Sequence, residues 1–198
     1  MKRYLVSPLI IVGLIAVSLL SPALASEWTI DMAHSGIYFD INHIFSATRG
    51  NFGEFSGSIR FDPNDLAAGS IQMTVQTQSI NTQNTKRDNH LRGDAFFAVS
   101  QYPLMTFNSS AFEHKGGDTY MVKGSMTIKD VTRQIEVPFV FHGIKDNPLQ
   151  KGKQVAGFDA RFTIDRLAYH VGDGKYVKMG VIGQDVTVFI TLEVLRDK

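Results

Sequence analysis

Five ionisable side chains crowd eight consecutive positions of the chain: Arg87, Asp88, His90, Arg92 and Asp94. The aromatic residues Phe96, Phe97, Tyr102 and Phe107 follow close behind. A histidine among carboxylates and guanidinium groups has the parts for general acid–base catalysis. With aromatic rings beside them, the same parts also suit a ligand clamp or a lid over something hollow. Local spacing bears on the choice. Thr85, with Asp88 three residues on, reads as an N-cap opening a short helix over residues 86–92. Gly93 ends that helix, and Asp88 and Arg92 stand i, i+4, where they can pair. Asp94 is placed to cap a second turn carrying Phe96 and Phe97, and Pro103 bars its continuation. The stretch 80–102 is therefore expected to be a long connection with an apolar underside. Leu91, Phe96 and Phe97 face in, while Arg87, His90 and Arg92 look outward or line a rim. Ordered connections of that length are usually functional.

Other reactive constellations are weaker. The histidines are His34, His43, His90, His114, His142 and His170, and none stands in HxH or HExxH spacing. A metal site would have to be assembled in three dimensions, and the reading is no metal and no cofactor. Gly53 to Gly57 reads GEFSG, which misplaces the serine of a nucleophile elbow. Gly172-Asp173-Gly174 lacks the third glycine of a dinucleotide loop and reads as a hairpin. Asp165 and Arg166 near His170 suggest acid–base work, with a loop salt bridge as the commoner explanation. Arg49 and Arg161 would suit the polar head of a ligand at a cavity mouth; a surface ion pair is the favoured alternative. The chain is read as a protein without catalytic activity.

The elements that must carry these residues are strands. Period-two alternation dominates after residue 30. Eight amphipathic strands can be traced, carrying on their apolar faces Ile37, Phe39 and Ile41; Phe55, Ile59 and Phe61; Ile71, Met73 and Val75; Met105 and Phe107; Tyr120, Val122, Met126 and Ile128; Ile135, Val137, Phe139 and Phe141; Phe158, Ala160, Phe162 and Ile164; and Val186 to Val194. Turns such as Asp62-Pro63-Asn64-Asp65 and Gly116-Gly117-Asp118 separate them. An all-β, eight-stranded antiparallel up-and-down barrel follows, with a two-sheet sandwich as runner-up. The charged stretch then lies between the third and fourth strands, as a short helical cap over one mouth. A barrel of this size is either filled by side chains or holds one small ligand. Gly57, Gly124, Gly157 and Ala160 leave volume, and Met73, Met105 and Met126 adapt to irregular apolar shapes. A solid core, in which glycine marks bends, explains the same composition.

The first residues add a compartment. Lys2 and Arg3 precede an apolar run from Leu9 to Leu20, and Ala23-Leu24-Ala25 offers a cleavage site. Residues 1–25 are expected to be a signal peptide and residues 26–198 one exported, periplasmic domain without stable membrane insertion. Removing Lys2 and Arg3 leaves one more acid than base, so the overall charge balance gives no argument for nucleic acid or an anionic membrane. There are no cysteines, hence no disulfides and no thiolate metal site.

Several blocks in order complete the pattern: HSGIYFDINHIFSATRGNF, GSIRFDP, TKRDNHLRGDAFFAVSQYPLMTF, GSMTIKDVTRQIEVPF and AGFDARFTIDR. With these blocks the chain resembles the YceI-like family of exported bacterial proteins. The resemblance spans nearly all of residues 26–198. It implies a lipocalin-like barrel that binds a polyisoprenoid or related long apolar molecule, and it tips the interior from solid core to elongated pore. The lining would correspond to the inward residues Ile37, Phe39, Ile41, Phe55, Phe61, Met73, Val75, Phe107, Met126, Phe139, Phe141, Phe158 and Phe162. Arg49, Arg87, His90, Leu91, Arg92, Phe96 and Phe97 would form the lid or rim. Cargo would be a polyisoprenoid, an isoprenoid quinone or a fatty amide. A protein-interaction module with a filled barrel and an enzyme working at the mouth are the alternatives. A homodimer is compatible with the apolar lid.

Overall fold

The structure, a computed structural model, describes residues 27–198; the expected signal peptide lies outside the described residues. All strands belong to one antiparallel sheet: β1 Thr29–Ile30, β2 Gly36–His43, β3 Ser46–Phe52, β4 Phe55–Arg60, β5 Ser70–Gln76, β6 Ile80–Asn81, β7 Leu104–Gly116, β8 Thr119–Ile128, β9 Val131–Asp146, β10 Lys153–Asp165 and β11 Ile182–Asp197. Two short α-helices, α1 Thr85–Arg92 and α2 Lys175–Lys178, and three single-turn 3-10 helices, Leu66–Ala68, Thr77–Ser79 and Leu167–Tyr169, complete the regular structure of the described residues. The sandwich alternative is not formed.

The strand order is β4-β5-β7-β8-β9-β10-β11-β2-β3-β6, with β1 on β11. Sequence neighbours pair almost throughout, which is up-and-down connectivity. The sheet curls into a barrel because three of its staves are bent. β1 and β2 run along β11 on either side of the turn at residues 31–35. β3 and β4 follow one another across Gly53 and Glu54, the first paired with β2 and the second with β5. β5 continues as β6, which pairs with β3. The Trp28 N–H donates to the Ile59 carbonyl (2.8 Å), bringing the start of the first stave against β4.

Eight staves therefore hold eleven segments, and the sequence reading missed β1, β3 and β6. β3 shows why. In Ser46-Ala47-Thr48-Arg49-Gly50-Asn51-Phe52, apolar alternation is nearly absent. A Cβ at Gly50 would collide with the Phe39 ring on β2 and come within 2.9 Å of Thr82 Cγ2. The inward space beside β3 is filled from neighbouring elements, so the strand carries no apolar stripe of its own.

The two ends of the barrel differ. At one end lie the β4–β5, β7–β8 and β9–β10 connections. There the Phe61 ring sits 5.1–5.8 Å from the rings of Phe112, Tyr120, Phe139, Phe141 and Phe158, mostly edge to face. Such geometry is the favourable one for aromatic pairs. Phe61 is 2 % exposed, and this aromatic plug closes the end. At the other end lie α1, α2 and the β2–β3 hairpin.

Candidate ligand-binding cavity

Between the plug and α1 the barrel is hollow. The cavity measures about 710 Å³, within the range of sites that hold small molecules. The glycines do not create it. A Cβ at Gly57 would strike Met73 Sδ, and one at Gly124 would meet the Phe107 ring at 2.7 Å. At Gly157 the nearest atoms belong to His142, at 3.4 Å. The volumes at Gly57 and Gly124 are taken by neighbours, and Gly157 lies on the outer face beside the exposed His142, so the expectation that these glycines leave space is corrected. The hollow opens instead where the rings of the plug give way to aliphatic staves.

Of the expected lining residues, Ile37, Phe39, Ile41, Met73 and Val75 face the cavity, as do Phe107, Met126, Phe139, Phe158 and Phe162. Three do not. Phe61 is the hub of the plug, and Phe141 packs 5.1 Å from it. Phe55, 8 % exposed, packs with Ile37, Phe52, Val75 and Ile80 at the bend between β3 and β4. All three point inward, as alternation requires; inward and cavity-facing are different properties when one end is filled. The sequence reading of the site passed over Val186, Val188, Ile190 and Leu192 on β11, although their alternation was plain. It also passed over Arg166, in the turn after β10, and Tyr176, on the one-turn helix α2, where no period shows.

The cap forms as expected, with different polar contacts. Asn84, not Thr85, caps α1, its Oδ1 accepting from the Arg87 N–H. Asp88 does not pair with Arg92. It is 6 % exposed and accepts from the Thr82 N–H (2.9 Å) and hydroxyl. Arg87 donates to the same threonine, through Nε to Oγ1 (2.7 Å) and through Nη2 to the carbonyl (2.8 Å). Arg92 lies off the cavity and staples α1 to the barrel by donating to the carbonyls of Gln78 (2.9 Å) and Ile80 (2.6 Å). Leu91, Phe96 and Phe97 close over the cavity with Arg87 and His90 beside them. The Phe96 ring meets His90 edge on at 5.0 Å and stacks on Tyr176 of α2 at 6.4 Å.

The polar lining is one-sided in charge. His43, Lys86, Arg87, His90 and Arg166 line the cavity, and among the described residues no aspartate or glutamate does. Arg166 is 5 % exposed. It donates through Nε to the Gly183 carbonyl (2.9 Å) and through Nη1 to the Val171 carbonyl (2.6 Å), while Nη2 finds no partner. Burial pushes its pKa down, opposed by Asp165 and Asp173; a guanidinium remains charged nonetheless. The loop salt bridge expected near His170 is not formed with Asp165 or Arg166. Asp165 caps the following turn and accepts from Gln184 (2.7 Å), and His170 faces Asp130 at 3.1 Å.

Arg49 and Arg161 lie away from the cavity. Arg49 makes a two-bond ion pair with Asp40, both distances 2.7 Å, which holds the Asp40 carboxyl below its ordinary range. Arg161 stacks over Phe189 at 4.8 Å. Arg49 makes the favoured surface ion pair, whereas Arg161 makes none among the described residues and lies over a ring instead. Also outside the cavity, His34 Nδ1 sits 2.8 Å from Asp31 and 4.0 Å from Glu193. His34 lies in the turn before β2.

The family model of the YceI-like domain matches residues 28–194. The chain belongs to the YceI-like family. A UPF0312 protein of Pectobacterium atrosepticum is 34 % identical over 194 residues, 95 % of this chain and 97 % of its own length. One from Vibrio cholerae is 34 % identical over 178 residues, 86 % of this chain and 93 % of its own. Among solved structures, Burkholderia cenocepacia BcnA superposes with a TM-score of 0.73 at 30 % identity, covering 83 % of this chain and 98 % of its own. The Campylobacter jejuni YceI protein gives 0.69 at 28 % identity, covering 78 % and 88 %. A domain from Saccharophagus degradans, described as polyisoprenoid binding, gives 0.62 at 18 % identity over 86 % and 98 % of the two chains; it shares the fold. No helix among the described residues is long and apolar enough to cross a membrane.

Proposed function

We propose that this YceI-like protein is an exported, periplasmic carrier that sequesters the apolar chain of a lipid inside its barrel. A polyisoprenoid, an isoprenoid quinone or a fatty amide is the matching class of cargo. The observation that carries this reading is the capped, apolar cavity of about 710 Å³ behind α1. Each methylene moved from water into such a space contributes about 0.8 kcal/mol, so long chains bind without any specific polar contact. The polyisoprenoid-binding description of a domain sharing this fold supports the same class. Binding is favoured over catalysis at the mouth: neither His43 nor His90 hydrogen-bonds a carboxylate through its ring among the described residues, so neither has an orienting partner for acid–base work.

The test is to purify the exported protein from a lipid-replete source, and to combine native mass spectrometry with mass spectrometry of an organic extract. A stoichiometric long-chain species is the expected result. A clean unliganded mass from a gentle preparation would overturn the carrier reading and favour an interaction module.

A further inference from the structure

The β2–β3 hairpin turns through Ile44 and Phe45 at the rim of the open end. Phe45 is fully exposed, and Ile44 is 57 % exposed. Ile44 also holds φ at +53°. Two-residue hairpin turns favour asparagine and glycine there, and a β-branched residue in the left-handed region is strained. The chain therefore places two large apolar residues where folding gains nothing from them and loses something by one of them. An observed backbone outlier of this kind points to function.

The surroundings indicate what the turn meets. His43, just before it, lines the cavity, and the Ile44 N–H donates to the carbonyl of Val181, which also lines it. The turn is thus part of the mouth. Two residues before Val181 stands Met179, 60 % exposed. Lys175 and Lys178 flank it on α2, both exposed. Lys86 and Arg87 on α1 are exposed cations at the same opening. Exposed apolar tips at an opening that also carries these lysines and an arginine, with Asp94 and Asp173 exposed beside the same helices, match an interface between acyl chains and anionic headgroups.

We infer that the mouth docks on an anionic lipid bilayer, with Ile44, Phe45 and Met179 entering the headgroup boundary and the α1 and α2 cations facing anionic headgroups. This rests on the carrier reading, because a cargo dissolved in a bilayer must cross from membrane to cavity without passing through water. Docked this way, the cavity opens onto the membrane and the lid lies at its surface.

Vesicle co-sedimentation tests it, comparing phosphatidylethanolamine–phosphatidylglycerol vesicles with phosphatidylcholine vesicles. Wild-type protein is expected to partition onto the anionic vesicles, less so in high salt. Phe45→Asp should weaken that partition by about tenfold or more, and Lys178→Glu should weaken it on anionic vesicles. Phe45 is fully exposed, so Phe45→Asp leaves the fold intact; Ile44→Asn is a second variant that relieves the turn. Equal partition of wild type and both turn variants overturns the proposal. So does wild-type protein that ignores both vesicles, an outcome that would assign the turn to a protein partner. Uptake of geranylgeraniol in solution is measured on the same samples and should be unchanged in Phe45→Asp. If wild type takes up none, the carrier reading itself fails, in a readout separate from vesicle binding.

Discussion

Asp31 and His34 show how a single pair sets a pH window. The His34 hydrogen bond lowers the Asp31 pKa, and the Asp31 carboxylate raises that of His34. The aspartate's contribution is present above its unfolded pKa and lost as pH falls through the folded one. The histidine's is present below its unfolded pKa and lost as pH rises through the folded one. The pair therefore supports the turn between β1 and β2 only in the interval between, and weakly, since the imidazole is exposed. In Asp31→Asn the His34 pKa should fall back towards the ordinary imidazole value, which an NMR titration reads directly. At this scale the sequence was a mixed guide. It showed that Arg49 and Arg161 were better read as surface contacts than as ligand anchors. It singled out Arg166 but not its place on the cavity, because a charge held by the carbonyls of Gly183 and Val171 depends on a turn conformation that no side-chain pattern announces. It also misled at Gly57 and Gly124, where a missing side chain meant a neighbour's presence and not empty space.

Among elements, the lid makes the sharpest prediction. Phe96 is 5 % exposed and joins α1 to α2 through its contacts with His90 and Tyr176. Phe96→Asp puts a charge into that junction and should speed release of a bound chain, measured as the dissociation rate of a fluorescent lipid. An unchanged rate would show that α1 and its following turn do not gate the cavity. Strands with both an apolar and a polar face, such as β2 and β8, were legible because sequence alternation maps directly onto inside and outside. β3 was not, since its inward face is covered by Phe39 and Thr82. The helical cap was legible from its stop at Gly93 and its apolar positions, while its start was read one residue late, at Thr85 instead of Asn84. Its internal bonding was not: Asp88 reaches back to Thr82 rather than forward to Arg92, and only the path of the chain through β6 puts Thr82 there.

Taken as a whole, the molecule is a tube with a lid at one end and an aromatic plug at the other. Phe61→Ala removes the hub of that plug and should cost about 3–5 kcal/mol of stability, read by chemical denaturation. The plug also converts length into affinity. Along a series of unbranched chains, each added carbon should tighten binding about fourfold while it finds aliphatic wall. Once the chain end touches the rings around Phe61, further carbons stay outside and the gain stops. The carbon number at that break, obtained by calorimetry across the series, reports the depth of the tube, and Phe61→Ala should shift it upward. In the proposed carrier a blind end is a gauge: chains would be sorted by length, with no need to recognise any functional group along the way.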